Sequence, residues 1–324
     1  MAGAPYGAID LGGTKILAVI ATDGGQVLAR DRRPTPAAGP DAVLDELVGS
    51  LRAAALAADV SPRDLRGVGI ACPGPLDLRA GVVSHPPNLP GWEEVPLRRL
   101  AEERLGVPVV LENDATAAAI GEHAFGAGRG AAHMVYVTVG TGIGGGIIGD
   151  GRPYRGKGAA GELGHVIVLA DGPLCGCGNR GCVEALASGT AIARRARELL
   201  DAGRAPVLRR LLAEGEGPTA EAVHRAALGG DEDCRRLLAE AGHYLGVALA
   251  SYANAFDPEA MVLGGGVLQA GEMLLAPARE ALWTLALPRV RRGLRLETGA
   301  LGPLAGALGM VAILARATTY AWTP

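Results

Sequence analysis

Tyr6-Gly7-Ala8-Ile9-Asp10-Leu11-Gly12-Gly13-Thr14-Lys15 opens as an apolar strand, ends in a carboxylate and enters a glycine–threonine turn. Lys15–Ala21 returns as a second apolar strand, and a D-G hairpin turn at Asp23-Gly24-Gly25 leads to a third over Gln26–Arg30. The pattern then recurs: Met134–Val139 and Ile143–Ile148 flank Gly140-Thr141-Gly142 as strand, glycine turn and strand. Two cycles that begin alike predict two α/β domains around a cleft. The expected division is 1–118, joined by a closing helix at 304–324, and 119–303.

Between these landmarks the apolar spacing alternates between helix and strand. Val43/Leu44, Leu47/Val48, Leu51 and Ala55 fall at helical intervals behind Asp41. Leu65–Cys72 and Val107–Leu111 read as buried strands, the latter followed by an alanine-rich helix from about Ala115. Helices are predicted at Val183–Leu200, Ala220–Leu228, Asp233–Ala255 and Leu304–Thr318, with a strand at Met261–Leu263 ending in Gly264-Gly265-Gly266.

Composition narrows the function class. The chain has 324 residues, 49% of them hydrophobic and 20% charged, ample for a buried core. Its net charge of −3 gives no basic field to draw nucleic acid or anionic lipid. Leu301–Ala315 is apolar but broken by Gly302, Pro303, Gly306 and Gly309, and falls short of the roughly 18–20 residues of a membrane span. Without a basic, then apolar, leader pattern, a cytoplasmic protein is expected. Fifty glycines, about twice the usual share of roughly 7%, point to tight turns and close backbone approaches.

Asp10-Leu11-Gly12-Gly13-Thr14-Lys15 carries two readings: an ordinary hairpin turn, or a phosphate cradle with backbone N–H groups, the Thr14 hydroxyl and a magnesium-bound water held by Asp10. The echo at Gly140-Thr141-Gly142 favours the cradle. Gly140-x-Gly142-x-x-Gly145 is not a dinucleotide fingerprint, because Gly146-Ile147-Ile148 continues as strand rather than opening a helix. Gly151 to Lys157 fits GxxxxGK, but Gly158 stands where a P-loop needs a hydroxyl. Leu111-Glu112-Asn113-Asp114 places carboxylates at a strand's C-terminal end, where α/β folds site their chemistry. There Asn113 is read as the cap of the next helix and Asp114 as a proton acceptor for a substrate hydroxyl.

Cys175, Cys177 and Cys182 cluster with His165 as H-x9-C-x-C-x4-C, a Cys3His set of the structural zinc type. Five cysteines and a reducing compartment argue against disulfides, and Cys72 and Cys234 read as buried apolar side chains. Glu162 and Glu184 flank the cluster. They read as solvated charge or, with His165, as a polar pocket held by the metal. Arg289, Arg291, Arg292 and Arg295 read as a solvated face.

Taken in order, these segments resemble the ROK family of sugar kinases and repressors, and within it the bacterial glucokinases. The resemblance spans essentially the whole chain. It rests on Asp10–Lys15, Pro87-Asn88-Leu89-Pro90-Gly91, Glu112–Asp114, Val139–Gly146, Gly161–His165, Cys175–Gly178, Gly181–Glu184 and Gly264–Gly266. It implies an α/β, actin-like ATPase (ribonuclease H-like) fold. It further implies ATP-dependent phosphorylation of a hexose, foremost glucose and also mannose, with Asp114 as general base on the 6-hydroxyl. Asn88, Asn113, Asp114, Glu162, His165 and Glu184 would hold the sugar, with His165 also on zinc beside Cys175, Cys177 and Cys182. Gly12, Gly13, Thr14, Lys15, Gly140, Thr141 and Gly142 would hold the ATP phosphates, and Gly264, Gly265 and Gly266 would pass under the adenosine.

Two departures bear on the substrate. Thr116 stands where many relatives carry Asn. Val183-Glu184-Ala185 is shared with N-acetylhexosamine kinases, whereas some actinobacterial glucokinases have Trp-Glu-Gln. N-acetylmannosamine or N-acetylglucosamine is therefore the alternative acceptor, and polyphosphate an alternative donor. A sugar-responsive repressor is the more distant alternative, since the nine residues before Asp10 leave no room for a helix-turn-helix. A silent sugar-binding protein is disfavoured by Asp114 and both turns. The family further implies a homodimer or homotetramer.

Overall fold

The structure, a computed structural model, describes residues 4–86, 88–212 and 215–320. Pro87 of the Asn88 motif and positions 321–324 of the expected closing segment lie outside them. The chain divides into two compact units, Met1–Tyr136 with Gly146–Gly161 and Gly299–Pro324, and Val137–Gly145 with Glu162–Thr298.

The strands are β1 (Tyr6–Leu11), β2 (Lys15–Ala21), β3 (Val27–Pro34), β4 (Val68–Cys72), β5 (Leu76–Asp77), β6 (Val82–Val83), β7 (Val109–Asn113), β8 (Met134–Val139), β9 (Ile143–Gly149), β10 (Arg152–Pro153), β11 (Ala260–Gly264) and β12 (Arg295–Thr298). They build one sheet of order β3-β2-β1-β4-β7 and another of order β10-β9-β8-β11-β12, beside the small β5-β6 pair. Both five-stranded sheets thus run third, second, first, fourth, fifth in their own chain order. The repeated opening pattern is one topology used twice. β1 pairs antiparallel with β2 but parallel with β4, and β4 parallel with β7.

In the first unit, β1 alternates its faces as a strand must. Ile9 and Leu11 join Ile70 and the Leu44, Leu47 and Leu51 stripe of α1 (Pro40–Ala57) in a fully buried core. Asp10 faces the other way. That face is covered by the late helix spanning Ala305–Ala315, whose residues are nearly all buried and which packs against β1, β4 and Asp114–Phe125. Contact between these two helices is close enough that a Cβ on Gly309 would lie inside van der Waals distance of the Ala117 carbonyl, and one on Gly121 likewise of the Ala305 carbonyl. The second unit repeats the device. Gly242 and Gly246 of the helix Glu232–Phe256 bring it against the backbone of Glu272–Leu285 at Leu274 and Ala278. Four of the fifty glycines serve these two helix contacts.

Several expected elements shift. The segment 183–200 is two helices, because Ser188 adopts an extended conformation and caps the second by accepting from Ala191 N–H at 3.1 Å. The closing helix stops at Ala315, where Arg316 leaves helical geometry, and resumes at Ala317–Tyr320. The expected boundary at 118/119 falls inside the helix Asp114–Phe125, which stays whole with the first unit through its packing on Ala305–Ala315. Leu97–Leu105 and Glu272–Leu285 are helices without a sequence expectation. Glu122, 1% exposed, accepts from Ala127, Ala300 and Leu301 N–H groups at 2.8–3.0 Å. It anchors the segments on either side of the long excursion into the second unit.

Helix propensity alone would make Gly309→Ala stabilising by about 1 kcal/mol. The backbone contact reverses the sign, and a net loss of about 2 kcal/mol is expected, roughly 4–8 °C in Tm. A thermal melt with an unchanged or raised Tm would refute the close-packing argument.

Candidate functional site

Parallel pairing sets the C-terminal ends of three strands in a row: Asp10 lies opposite Ala71, Ala71 opposite Glu112, and Cys72 opposite Asn113. The Asp10 carboxylate fills the space a Gly306 Cβ would take, 3.1 Å from its Cγ. Burial first, and then the negative charge of Asp114, push the Asp10 carboxyl up to about 6, with Lys15 pulling the other way. Asp10 and Asp114 therefore share one local field, and both stand where a metal-bound phosphate and a substrate hydroxyl are handled in α/β folds.

Asn113 caps the helix that follows, its Oδ1 accepting from Thr116 N–H at 3.0 Å. Asp114 is the first helical residue. Its Oδ1 accepts from Ala115 N–H at 2.8 Å, which fixes the carboxylate at the helix N-terminus. This helix is α2 (Asp114–Phe125); α3 (Val183–Ala187) and α4 (Gly189–Asp201) lie in the second unit. One residue upstream, Glu112 is almost fully buried and ion-paired. Arg155 donates to its Oε2 from Nε at 2.8 Å and from Nη2 at 2.6 Å, and Nη2 also donates to the Tyr320 carbonyl at 2.5 Å. Burial raises the Glu112 carboxyl and the Arg155 charge opposes the rise.

The Gly12–Thr14 turn is braced from outside. Gly12 N–H donates to the Lys15 carbonyl, and Thr35 Oγ1 donates to the Gly12 carbonyl at 2.7 Å. A Cβ on Gly13 would lie 2.6 Å from Asn88 Cβ and 2.7 Å from its carbonyl oxygen, so the turn and the Asn88 loop are in direct contact. Asn88 and Thr14 are exposed, while Gly12, Gly13 and Lys15 are half-buried.

In the second unit the Gly140–Gly142 turn is held by the start of α3 and α4. Ile143 N–H donates to Glu184 Oε2 at 2.9 Å, Gly189 N–H to the Gly140 carbonyl at 2.8 Å, and Thr190 Oγ1 to the Thr141 carbonyl at 2.8 Å. Gly265, with φ of 96°, lies against the Val139 backbone just before the same turn, and Gly264 to Gly266 pass beside it.

His165, Cys175, Cys177 and Cys182 each offer a ligand atom, all within 4.8 Å of one another. His165 Nδ1 lies 3.6 Å from Cys175 Sγ, and Cys177 Sγ lies 3.7 Å from Cys182 Sγ. Those separations match the edge of about 3.8 Å expected for thiolates at a Zn–S distance of about 2.3 Å around a tetrahedral ion. The donor set and spacing fit zinc. Burial pushes the Cys182 thiol up to about 12, while the Asn179 backbone N–H lowers the exposed Cys177. Cys175 Sγ also lies 3.7 Å from Glu184 Oε1. Glu162 is exposed and immediately precedes the short helix Leu163–His165.

In the first unit the expected residues Asp10, Gly12–Lys15, Asn88, Asn113 and Asp114 come together; in the second, Gly140–Gly142, His165, Glu184, Gly264–Gly266 and the three cysteines do. Cys72 and Cys234 are buried, and the four late arginines are exposed. Sequence reasoning missed Arg155, Thr35 and Thr190. A lone arginine in a glycine-rich loop and single threonines carry no spacing signal.

The profile of the ROK family matches residues 6–317. The glucokinase of Halalkalibacterium halodurans is 37% identical over 307 residues, 94% of this chain and 93% of that protein. The xylose repressor of Bacillus spizizenii is 30% identical over 94% of this chain and 76% of its own length. A crystal structure of a ROK family glucokinase from Streptomyces griseus in complex with glucose and AMPPNP superposes with a TM-score of 0.84 at 37% identity, covering 97% of this chain and 100% of that one. With the family profile running over residues 6–317 and a glucokinase 37% identical along 94% of the chain, this chain belongs to the ROK family.

Proposed function

We propose that this protein transfers the γ-phosphoryl group of ATP to the 6-hydroxyl of a hexose, glucose foremost. The observation that carries the reading is Asp114, fixed at the N-terminus of α2 beside Asp10 and one residue from a capping Asn113. Phosphoryl transfer asks for positioning and charge neutralisation rather than covalent chemistry; these residues supply the positioning, and Lys15 with a bound magnesium would supply the neutralising charge. Asp114 accepts the hydroxyl proton as the oxygen attacks. Asp10 would hold a magnesium-bound water, and the ion would supply charge neutralisation at the phosphates. The Gly12–Lys15 and Gly140–Gly142 turns present backbone N–H groups to phosphate oxygens, and Gly264–Gly266 lies under the adenosine. Asn88, Asn113, Glu162, His165 and Glu184 bind the sugar hydroxyls.

His165, Cys175, Cys177 and Cys182 would hold zinc as a structural ion, and His165, fixed by one ring nitrogen, would keep the other for a sugar hydroxyl. A kinase is favoured over a repressor because the glucokinase is matched at higher identity and over more of its length. The Val183-Glu184-Ala185 segment favours one second reading, an N-acetylhexosamine acceptor. A homodimer or homotetramer in the cytoplasm completes the proposal; no helix among the described residues is long and apolar enough to cross a membrane.

A coupled ADP-release assay with Mg-ATP across glucose, mannose, N-acetylglucosamine and N-acetylmannosamine tests the substrate. Glucose is expected to give the highest kcat/KM, and an acetylated sugar in first place would establish the second reading. Asp114→Asn is expected to lower kcat by about 10²–10⁴ while glucose still binds by calorimetry, and near-normal turnover would end the base assignment. Since Asp10 is raised to about 6, its ionised form is lost as pH falls through that value. kcat/KM for Mg-ATP should fall below about pH 6, and a profile flat to pH 5 would contradict the role given to Asp10. Elemental analysis should find about one zinc per chain, lost with a drop in Tm in Cys182→Ser. Metal-free protein with a disulfide in its mass spectrum would overturn the zinc site.

A further inference from the structure

One carboxylate stands between the metal loop and the second phosphate turn. Glu184 Oε2 accepts the Ile143 N–H at 2.9 Å, and the same oxygen lies 2.5 Å from where a Gly142 Cβ would stand. Gly142 is thus small because Glu184 reaches under the turn. Its other oxygen, Oε1, points towards Cys175 Sγ at 3.7 Å. Glu184 also begins a continuous brace, since its carbonyl accepts from Ser188 N–H at 3.2 Å and Ser188 caps α4. At the head of α4, Gly189 N–H donates to the Gly140 carbonyl, and Thr190 binds the Thr141 carbonyl through both N–H (3.2 Å) and Oγ1 (2.8 Å). The Gly140 and Thr141 carbonyls are thereby engaged by the head of α4. A carboxylate and a backbone N–H form a charge-assisted bond, stronger than a neutral one.

We propose that Glu184 is a positioning residue for the phosphoryl donor, with Thr190 as its neutral partner, and that through Glu184 the sugar and the nucleotide bind cooperatively. The proposal rests on the hexokinase reading for its second half. A carboxylate that holds a sugar hydroxyl with one oxygen and the turn with the other is stiffened by either ligand, and such coupling is reciprocal. Its first half, turn positioning, stands on the hydrogen bonds alone.

The test is calorimetric titration of AMPPNP with magnesium into the zinc-replete protein, with and without saturating glucose, backed by KM for ATP and for glucose. Native protein is expected to bind AMPPNP about tenfold more tightly with glucose present. Glu184→Ala should weaken AMPPNP alone about tenfold and abolish the glucose effect. Glu184→Gln, which keeps an acceptor for Ile143 N–H, should restore most of the AMPPNP affinity. Thr190→Val tests the brace without touching the carboxylate, and should raise KM for ATP roughly fivefold with KM for glucose unchanged. Native-like AMPPNP affinity in folded Glu184→Ala, or an unchanged KM for ATP in Thr190→Val, overturns turn positioning. A glucose effect that survives Glu184→Ala overturns the coupling. Failure of the hexokinase reading looks different: native protein then shows no heat with glucose, while the glucose-free comparison of native, Ala and Gln proteins still decides the positioning role.

Discussion

Two carboxylates held side by side at strand ends repel each other and resist burial, and the site is organised around containing that cost. Burial and the neighbouring Asp114 charge raise the proton affinity of Asp10. Lys15 opposes the rise at Asp10, the Ala115 N–H holds Asp114, and Arg155 offsets the third carboxylate of the cluster, Glu112. Cys72, buried among all three, is pushed further from ionisation and stays an inert apolar side chain. A buried ion pair such as Glu112–Arg155 is weak evidence for stability, and its better explanation is local charge balance within the carboxylate cluster.

Close helix packing in each unit depends on its glycines. Helix pairs in each unit meet at Gly121 and Gly309, and at Gly242 and Gly246, where carbonyl oxygens sit in the place of side chains. Close backbone approach leaves few rotamers to rearrange where these helices meet. The turns themselves are short of side chains and depend on neighbours: Thr35 and Asn88 for one, Glu184, Gly189 and Thr190 for the other.

Much of this was legible in the sequence because it is local. The strand–turn–strand echo, the Asn113 cap and the C-x-C-x4-C spacing each lie within a short window, and the structure brings the four metal-type donors together as the spacing suggests. What escaped was non-local. Arg155 meets Glu112 across 43 positions, and Glu122 meets Leu301 across 179. The break at Ser188 escaped for another cause. A serine–glycine pair inside a helical pattern reads equally as a tolerated interior or a cap, and only the pull of the Gly140–Gly142 turn on Gly189 and Thr190 decides it.

The anchoring of residues 300 and 301 on Glu122 also bears on how the chain is made. The first unit begins at the N-terminus, yet the helix that covers the Asp10 face of its sheet is encoded after residue 304. The covering helix is therefore synthesised only after residues 137–145 and 162–298 of the second unit, so the sheet face it covers stays open for most of translation. Long-range closure of this kind is slow and leaves the nascent sheet open to wrong partners. The half translated first is the half finished last, and its need for protection during synthesis follows from the position of a single helix.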